Sequence, residues 1–504
     1  MTIESAEVIN SSSNSLFSCF VFVSSLYAIV VVVSILCPAK LVEGYVCDPL
    51  WLVLPDRYED YHSPHRDNYH KRIKPLVYSL NGFRCFGILV VGFLGVIALH
   101  YYHWLQVGGE NHYDTTFLFL HQNYGRCSFV SNLLGLLLSY YFVYVRFPQL
   151  SPTEQKANAF RRAPTVNPEA IKKKEDDPTN KSNCHWKNGN NSNQHNQCLD
   201  IDQRGTAFFY GKEFNPRYEL YKPFICHNEN TINGNEAVYG PTILDVKMTL
   251  YLVGAIVLEL NVISALLYER HQFGNSSNAS ILYSILMTWF VMDYLWYEQV
   301  HLYTYDLFAE KIGFKLVWGC LCFYPFFYPI GMLPLTARSI EDKDVDNHNH
   351  NFHQDLNVWS ALLITLTYMV GSCLTRGANL QKYYSRRYPH KRFVTLFGGM
   401  LILEQKTISS SSHILCSGFW GLARHINYCG EIIQAVALAL PAYWCYNGPS
   451  LLLRIVPWLY PLYYVALFLP RQYDDETLMR QKYGDKVMAE YIHRVPSRII
   501  PGLY

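Results

Sequence analysis

The chain has 504 residues, 50% of them hydrophobic and only 16% charged, with 40 Tyr, 28 Phe and 10 Trp. A charged share so far below the roughly 25% of soluble domains excludes an ordinary soluble enzyme, and a net charge of +2 without a basic block excludes a nucleic-acid-binding arm. The 14 cysteines are scattered, mostly within apolar runs and without a CxxC pair, so buried free thiols are expected rather than a disulfide framework.

The first apolar run, from Leu16 to Cys37, is longer than the roughly 7–15 residues of a signal h-region. No Lys or Arg precedes Lys40, so it reads as an uncleaved first span with the N-terminus outside. Further runs over 86–107, 128–145, 248–268, 281–302, 314–335 and 358–374 approach the roughly 20 residues that cross a hydrocarbon core. A hairpin over 432–444 and 451–469 adds two more. These make about nine spans, with room for a hidden tenth, and the expected fold is an all-α, polytopic membrane protein.

Charge asymmetry orients these spans. Segments 38–85, 147–243 and 375–430 are rich in Lys and Arg, whereas 108–127 and 268–280 hold one Arg each. The positive-inside rule makes the first group cytoplasmic, together with the C-terminal tail. Four regions follow: N-terminal spans over 1–147, a polar loop over 148–206, central spans over 207–374 and a C-terminal helical region over 375–504.

Within the loop, Lys172–Lys174 leads into Glu175–Asp177 and then NGNNSNQHNQ, a solvated composition that predicts disorder. Cys184, His185, His195 and Cys198 are zinc-ligand types, but their spacing fits no common finger; no metal is expected. His348 to His353 form a second polar insert, read the same way. Sequons at Asn275 and Asn278 fall on the lumenal side.

The polar residues of the C-terminal region carry the chemistry. Arg471, Asp475, Met479 and Tyr483 recur at i, i+4, i+8 and i+12, one slowly drifting stripe on a helix. A cation and a carboxylate one turn apart at the end of a membrane hairpin are costly unless something uses them; the bland alternative is a surface pair of a few tenths of a kcal/mol. Lys382 and Arg386 are also one turn apart, either cofactor cations or positive-inside anchors. Asp293, Glu298 and Asp306 lie in or beside an aromatic span, as the polar end of a pocket or as interhelical hydrogen-bond partners. Trp296 and Trp318 suit packing or the membrane interface. No GxGxxG follows a strand, so a Rossmann domain is not the cofactor holder.

Four ordered motifs give these residues a context: GKEFNPR (Gly211–Arg217), RGANLQK (Arg376–Lys382), GFWGLARHINY (Gly418–Tyr428) and KYG…VPSRIIPGLY at the end. With weaker echoes at YSLNGF (Tyr78–Phe83) and from Phe290 to Pro325, the chain resembles the membrane sterol reductases. That family comprises the sterol 14-, 7- and 24(28)-double-bond reductases and the lamin B receptor. The resemblance implies about ten spans, a cofactor site in the C-terminal half, NADPH as hydride donor and a sterol substrate entering from the bilayer of the endoplasmic reticulum. No protein partner is implied.

Carried over position by position, it implies that Lys382 and Arg386 contact the cofactor phosphate. Leu415, Trp420, Asn427, Glu431, Arg471, Asp475 and Tyr483 take the other cofactor-pocket positions. Asp475 and Arg471 fall beside the reacting double bond, and Phe290, Asp293, Trp296, Glu298 and Tyr328 on the sterol side. The residue types suit the reaction: alkene saturation needs a proton and a hydride, and a nucleotide phosphate wants cations.

The chain also departs from the family pattern. Phe290 stands where the family usually has Tyr, Met479 where it has Cys, Asp474 where many members have Arg, Val487 for Trp and Ser497 for Tyr. Two rival readings follow. One is an S-adenosylmethionine-dependent methyltransferase like the isoprenylcysteine carboxyl methyltransferases, whose tail the segment DDETLMRQKYG resembles. The other is a non-catalytic scaffold that keeps the pocket. RGANLQK and the FNPR loop speak against the first.

Overall fold

The computed structural model describes residues 3–43, 77–107, 118–145, 208–209, 219–221, 239–240, 244–302, 304, 312–343, 355–388, 391–408, 414–446, 448 and 450–504. The polar loop with its Cys and His residues, the 348–353 stretch, GKEFNPR and Asp306 lie outside them. Among the described residues, eight segments are helical, long and apolar enough to cross a membrane: Leu16–Leu36, Gly82–Leu99, Tyr124–Val145, Val246–Phe273, Asn278–Trp296, Phe314–Ala337, Val358–Arg387 and Leu451–Arg480. The protein is a helical, multi-pass membrane protein.

The long elements are α1 (Ile3–Leu36), α2 (Gly82–Val107), α3 (Tyr124–Tyr140), α4 (Val246–Phe273), α5 (Asn278–Trp296), α6 (Val358–Arg387), α7 (Ile426–Cys445), α8 (Leu459–Tyr483) and α9 (Asp485–Arg494). Between α5 and α6 the chain runs through short helical turns from Phe314–Trp318 to Met332–Lys343, with π turns at Gly319–Phe323. The expected run over 432–444 lies inside α7. Asn427, Glu431 and Gln434 in its first turns lower its mean hydropathy, so α7 is missing from the eight segments although it is 20 residues long.

Helix starts follow capping chemistry. Asp245 accepts from the Met248 amide at 3.1 Å before α4, and Asn357 accepts from Ser360 at 2.9 Å before α6. Gly274, in the left-handed region at φ 80°, closes α4. Burial then sorts the helices: 83% of the apolar window of α4 is buried, against 22% for those of α1 and α2. Helix α4 is therefore the central post. Phe17, Val32, Val91 and Leu99, with Leu362 and Leu366 of α6, are exposed apolar side chains on helices of membrane-crossing length, as lipid-facing surfaces require.

The crossing of α6 and α7 positions the site. Glycines permit the approach: a Cβ on Gly371 would sit 2.8 Å from the Gly430 carbonyl oxygen, and one on Gly430 would sit 2.4 Å from Thr375 Oγ1. Gln434 donates to Thr375 Oγ1 at 3.0 Å, and Thr375 donates to the Asn427 carbonyl at 3.3 Å. Gly430→Ala is thus a test of sign. Helix propensity alone predicts stabilisation of about 1 kcal/mol, whereas the crossing predicts a loss of about 1–3 kcal/mol or more. Thermal unfolding of the detergent-solubilised protein reads the difference, and a stabilised variant would contradict this packing.

After α6 a hairpin of β1 (Phe393–Leu396) and β2 (Leu401–Glu404) is formed, with Phe393 opposite Glu404. Lys406 and Arg392, each with a nitrogen 2.9 Å from a Glu404 oxygen, hold that carboxyl below its ordinary range.

Candidate functional site

The motif RGANLQK forms the late turns of α6, and GFWG forms a tight turn just before α7. Gln381, fully buried, joins them: its Nε2 donates to the Ser417 carbonyl at 2.9 Å, and its Oε1 accepts from the Phe419 amide at 3.0 Å. Trp420 Nε1 donates to the Ala378 carbonyl at 2.8 Å. The Lys382 ammonium lies 5.6 Å from the centre of the Trp420 ring, within cation–π range. Arg386 follows one turn later, in the last turn of α6.

On the other side of α7, Tyr428 donates its hydroxyl to Asp475 Oδ2 at 2.5 Å. The Arg471 guanidinium carbon is 5.9 Å from the centre of the same ring. His425 Nδ1 lies 4.0 Å from Asp475 Oδ2. The i, i+4 pair of the sequence thus meets the ARHINY motif and is not a pair on an otherwise empty surface.

The tail wraps under this cluster. Arg424, buried, donates through Nε to Glu476 at 2.9 Å and through Nη1 to the carbonyls of Val495 and Pro496 at 2.7 and 2.8 Å. The Arg424 and His425 amides donate to the Ser497 and Arg498 carbonyls at 3.0 and 2.7 Å. RVPSRIIP is therefore a strap that fixes the start of ARHINY. Beyond it, the Tyr473 hydroxyl and then the Arg498 guanidinium draw the Tyr504 phenol below its ordinary value. Burial pushes the Tyr491 phenol well above its own.

From Tyr428 an aromatic column leads into the helical body. Tyr428 stacks on Phe468 with centroids 4.2 Å apart and rings 3° from parallel, and Phe468 stacks on Tyr464 at 5.2 Å. Tyr464 donates to the Tyr328 hydroxyl at 3.5 Å, and Tyr328 packs 6.1 Å from Phe290. Phe290 and Tyr328, two of the residues expected on the sterol side, lie at the inner end of this column.

The other three are placed differently. Asp293 pairs with the buried Arg376, Nη2 to Oδ2 at 2.6 Å. Glu298 accepts from the Gly82 amide at 3.0 and 3.1 Å, at the start of α2. Trp296 is 61% exposed and edges against Phe83. These contacts join helices, and no sequence rule pairs Asp293 with a residue so distant in the chain as Arg376. Of the remaining cofactor positions, Leu415 is buried and bridges to Thr407, Asn427 and Glu431 lie on the first turns of α7, and Tyr483 packs against Ile408, Ile414, Met488, Tyr491 and Val495. Arg424, Glu476 and Gln381 are absent from the sequence-derived set, although Arg424 and Gln381 stand inside the quoted motifs. No group of His, Cys, Asp and Glu among the described residues is arranged to hold a metal.

The fold and site define a multi-pass membrane protein with a polar, cation-bearing cluster at one end of a buried aromatic column. A family model described as the ergosterol biosynthesis ERG4/ERG24 family matches residues 206–504, and the chain belongs to that family. It is 32% identical over 298 residues to Delta(14)-sterol reductase TM7SF2 of Mus musculus, a match covering 59% of each chain. It is 30% identical over 253 residues to the Delta(14)-sterol reductase of Arabidopsis thaliana, covering 50% of this chain and 59% of the relative. With the Delta(14)-sterol reductase of Methylotuvimicrobium alcaliphilum it shares 31% over 237 residues, covering 47% and 48%. The matches thus span about half to three fifths of these relatives' own lengths.

Proposed function

We propose that this chain reduces a carbon–carbon double bond in the ring system of a sterol intermediate, as an oxidoreductase of sterol biosynthesis in the endoplasmic reticulum membrane. The names of the relatives favour the 14-position, with the 7-position as the alternative. The observation that carries the reading is the union of Lys382, Trp420, Tyr428, Arg471 and Asp475 around the α6–α7 crossing, continued by the aromatic column towards Phe290 and Tyr328.

NADPH suits the residues present and, when bound, supplies the hydride. Lys382 and Arg386 offer two cations one turn apart for its phosphate, and Trp420 braces the Lys382 ammonium. Asp475 and Arg471 stand where the cluster meets the column, in position to hold the proton that the alkene also needs. The column is a buried, apolar aromatic surface, the kind of wall against which flat apolar rings pack. Phe290 contributes shape there and no proton.

Expression in a host lacking its own sterol reductase tests the reading. Mass spectrometry is expected to show the unsaturated intermediate consumed and its reduced product formed. An unchanged profile with the protein present and bound to NADPH would favour the scaffold. Titration separates the remaining rival: binding of NADPH but not S-adenosylmethionine is expected, and the reverse would favour methyl transfer.

A further inference from the structure

Tyr428 belongs to the cluster but has no chemical role in the assignments above, and its surroundings give it one. Its ring lies flat between His425, 5.2 Å away and 12° from parallel, and Phe468. This sandwich fixes where the hydroxyl points. The hydroxyl bonds Asp475, whose side chain is 22% exposed, whereas Tyr428 itself is 8% exposed. The pair therefore spans a gradient from water to the dry column, carboxyl outside and phenol inside. The column's inner end has Phe290, a ring without a proton to give.

We infer that Tyr428 is the hydroxyl that delivers the proton to the sterol, with Asp475 as the outer member of a two-group relay. This rests on the proposed reductase reading and names the proton path within it. The Tyr428 O–H bond breaks as a C–H bond forms on one alkene carbon; NADPH, which Lys382 and Arg386 would hold, would supply the hydride for its neighbour. The Asp475 carboxylate, which accepts the Tyr428 hydrogen bond at rest, then takes a proton from water and passes it to the phenolate oxygen. One hydride and one proton are consumed for each double bond. His425 Nδ1 lies 4.0 Å from Asp475 Oδ2, the Arg471 guanidinium lies over the Tyr428 ring, and Glu476 faces the other His425 ring nitrogen at 3.7 Å. The Arg471 cation favours the Asp475 carboxylate between proton transfers, whereas the Glu476 carboxylate opposes it.

The test uses the full chain in membranes. Tyr428→Phe keeps the stacked ring and removes only the hydroxyl, so NADPH affinity measured by titration is expected to stay within about threefold. Turnover is expected to fall on the order of 10²–10⁴-fold, the usual share of a positioned acid. A cofactor-free readout accompanies it: with 3-fluorotyrosine at position 428, the ¹⁹F resonance is expected to move when Asp475→Asn is introduced. Undiminished turnover in Tyr428→Phe, a parallel loss of NADPH binding or an unmoved ¹⁹F resonance would each overturn the relay. Failure of the reductase reading looks different, because the unsubstituted protein would then reduce no sterol, and the relay would fall with it.

Discussion

Asp475→Ala is expected to abolish sterol reduction, with turnover lower by about 10²–10⁴-fold, while Lys382→Ala mainly raises the NADPH requirement. The asymmetry follows from where the two side chains stand. Asp475 is bonded to the inner phenol of the cluster, so its loss removes the group that renews the proton. Lys382 lies over the Trp420 ring, where on the proposed reading it would meet the distal part of the cofactor. A lost charge-assisted hydrogen bond costs about 1.5–3 kcal/mol, roughly tenfold to a hundredfold in apparent affinity, with little change in kcat at saturation. Steady-state kinetics at varied NADPH separates the two effects. Equal and mild effects from both substitutions would count against the assignment of the site.

The second large effect concerns stability. Arg424→Ala is expected to destabilise the folded protein by about 3–5 kcal/mol, because it leaves the buried Glu476 carboxylate without its main partner. The side chains of Arg424 and Glu476 are 3% and 8% exposed, and the same guanidinium holds the Val495 and Pro496 carbonyls. Loss of the pair should also free the strap, so limited proteolysis beyond residue 494 is expected to accelerate. Replacing both partners, as Arg424→Met with Glu476→Leu, should recover much of the loss in unfolding free energy, since it is the unpaired charge that is costly. A double variant no better than the single would place the cost in the strap carbonyls instead.

The spans were legible in the sequence because hydropathy over some 20 residues is a local property. Helix α7 was less so, since Asn427, Glu431 and Gln434 dilute its apolar signal, Gln434 serving its neighbour α6 through Thr375. Much of the cluster was legible too: Arg471 and Asp475 announced themselves by their cost at the end of a hairpin, and the motifs named Lys382 and Trp420. What the sequence could not supply were the partners. Glu476 reads as one more acid in DDETLM until Arg424, 52 positions earlier, is seen against it. Tyr428 reads as a motif letter until its hydroxyl is found on Asp475. Glu298 suggests the polar end of a pocket because it lies beside an aromatic span; whether such a residue faces a cavity or a neighbouring backbone is decided by helix rotation. No local pattern encodes that rotation.

The most direct measurement follows the isotope. Purified protein in lipid, supplied with a Δ14-unsaturated sterol and NADPH carrying deuterium at the transferable position of the nicotinamide, is expected to return a saturated sterol with one deuterium on one former alkene carbon. In D₂O with unlabelled NADPH, the deuterium should instead appear on the neighbouring carbon. A folded, NADPH-binding protein that transfers no label to the sterol under either condition would contradict the account.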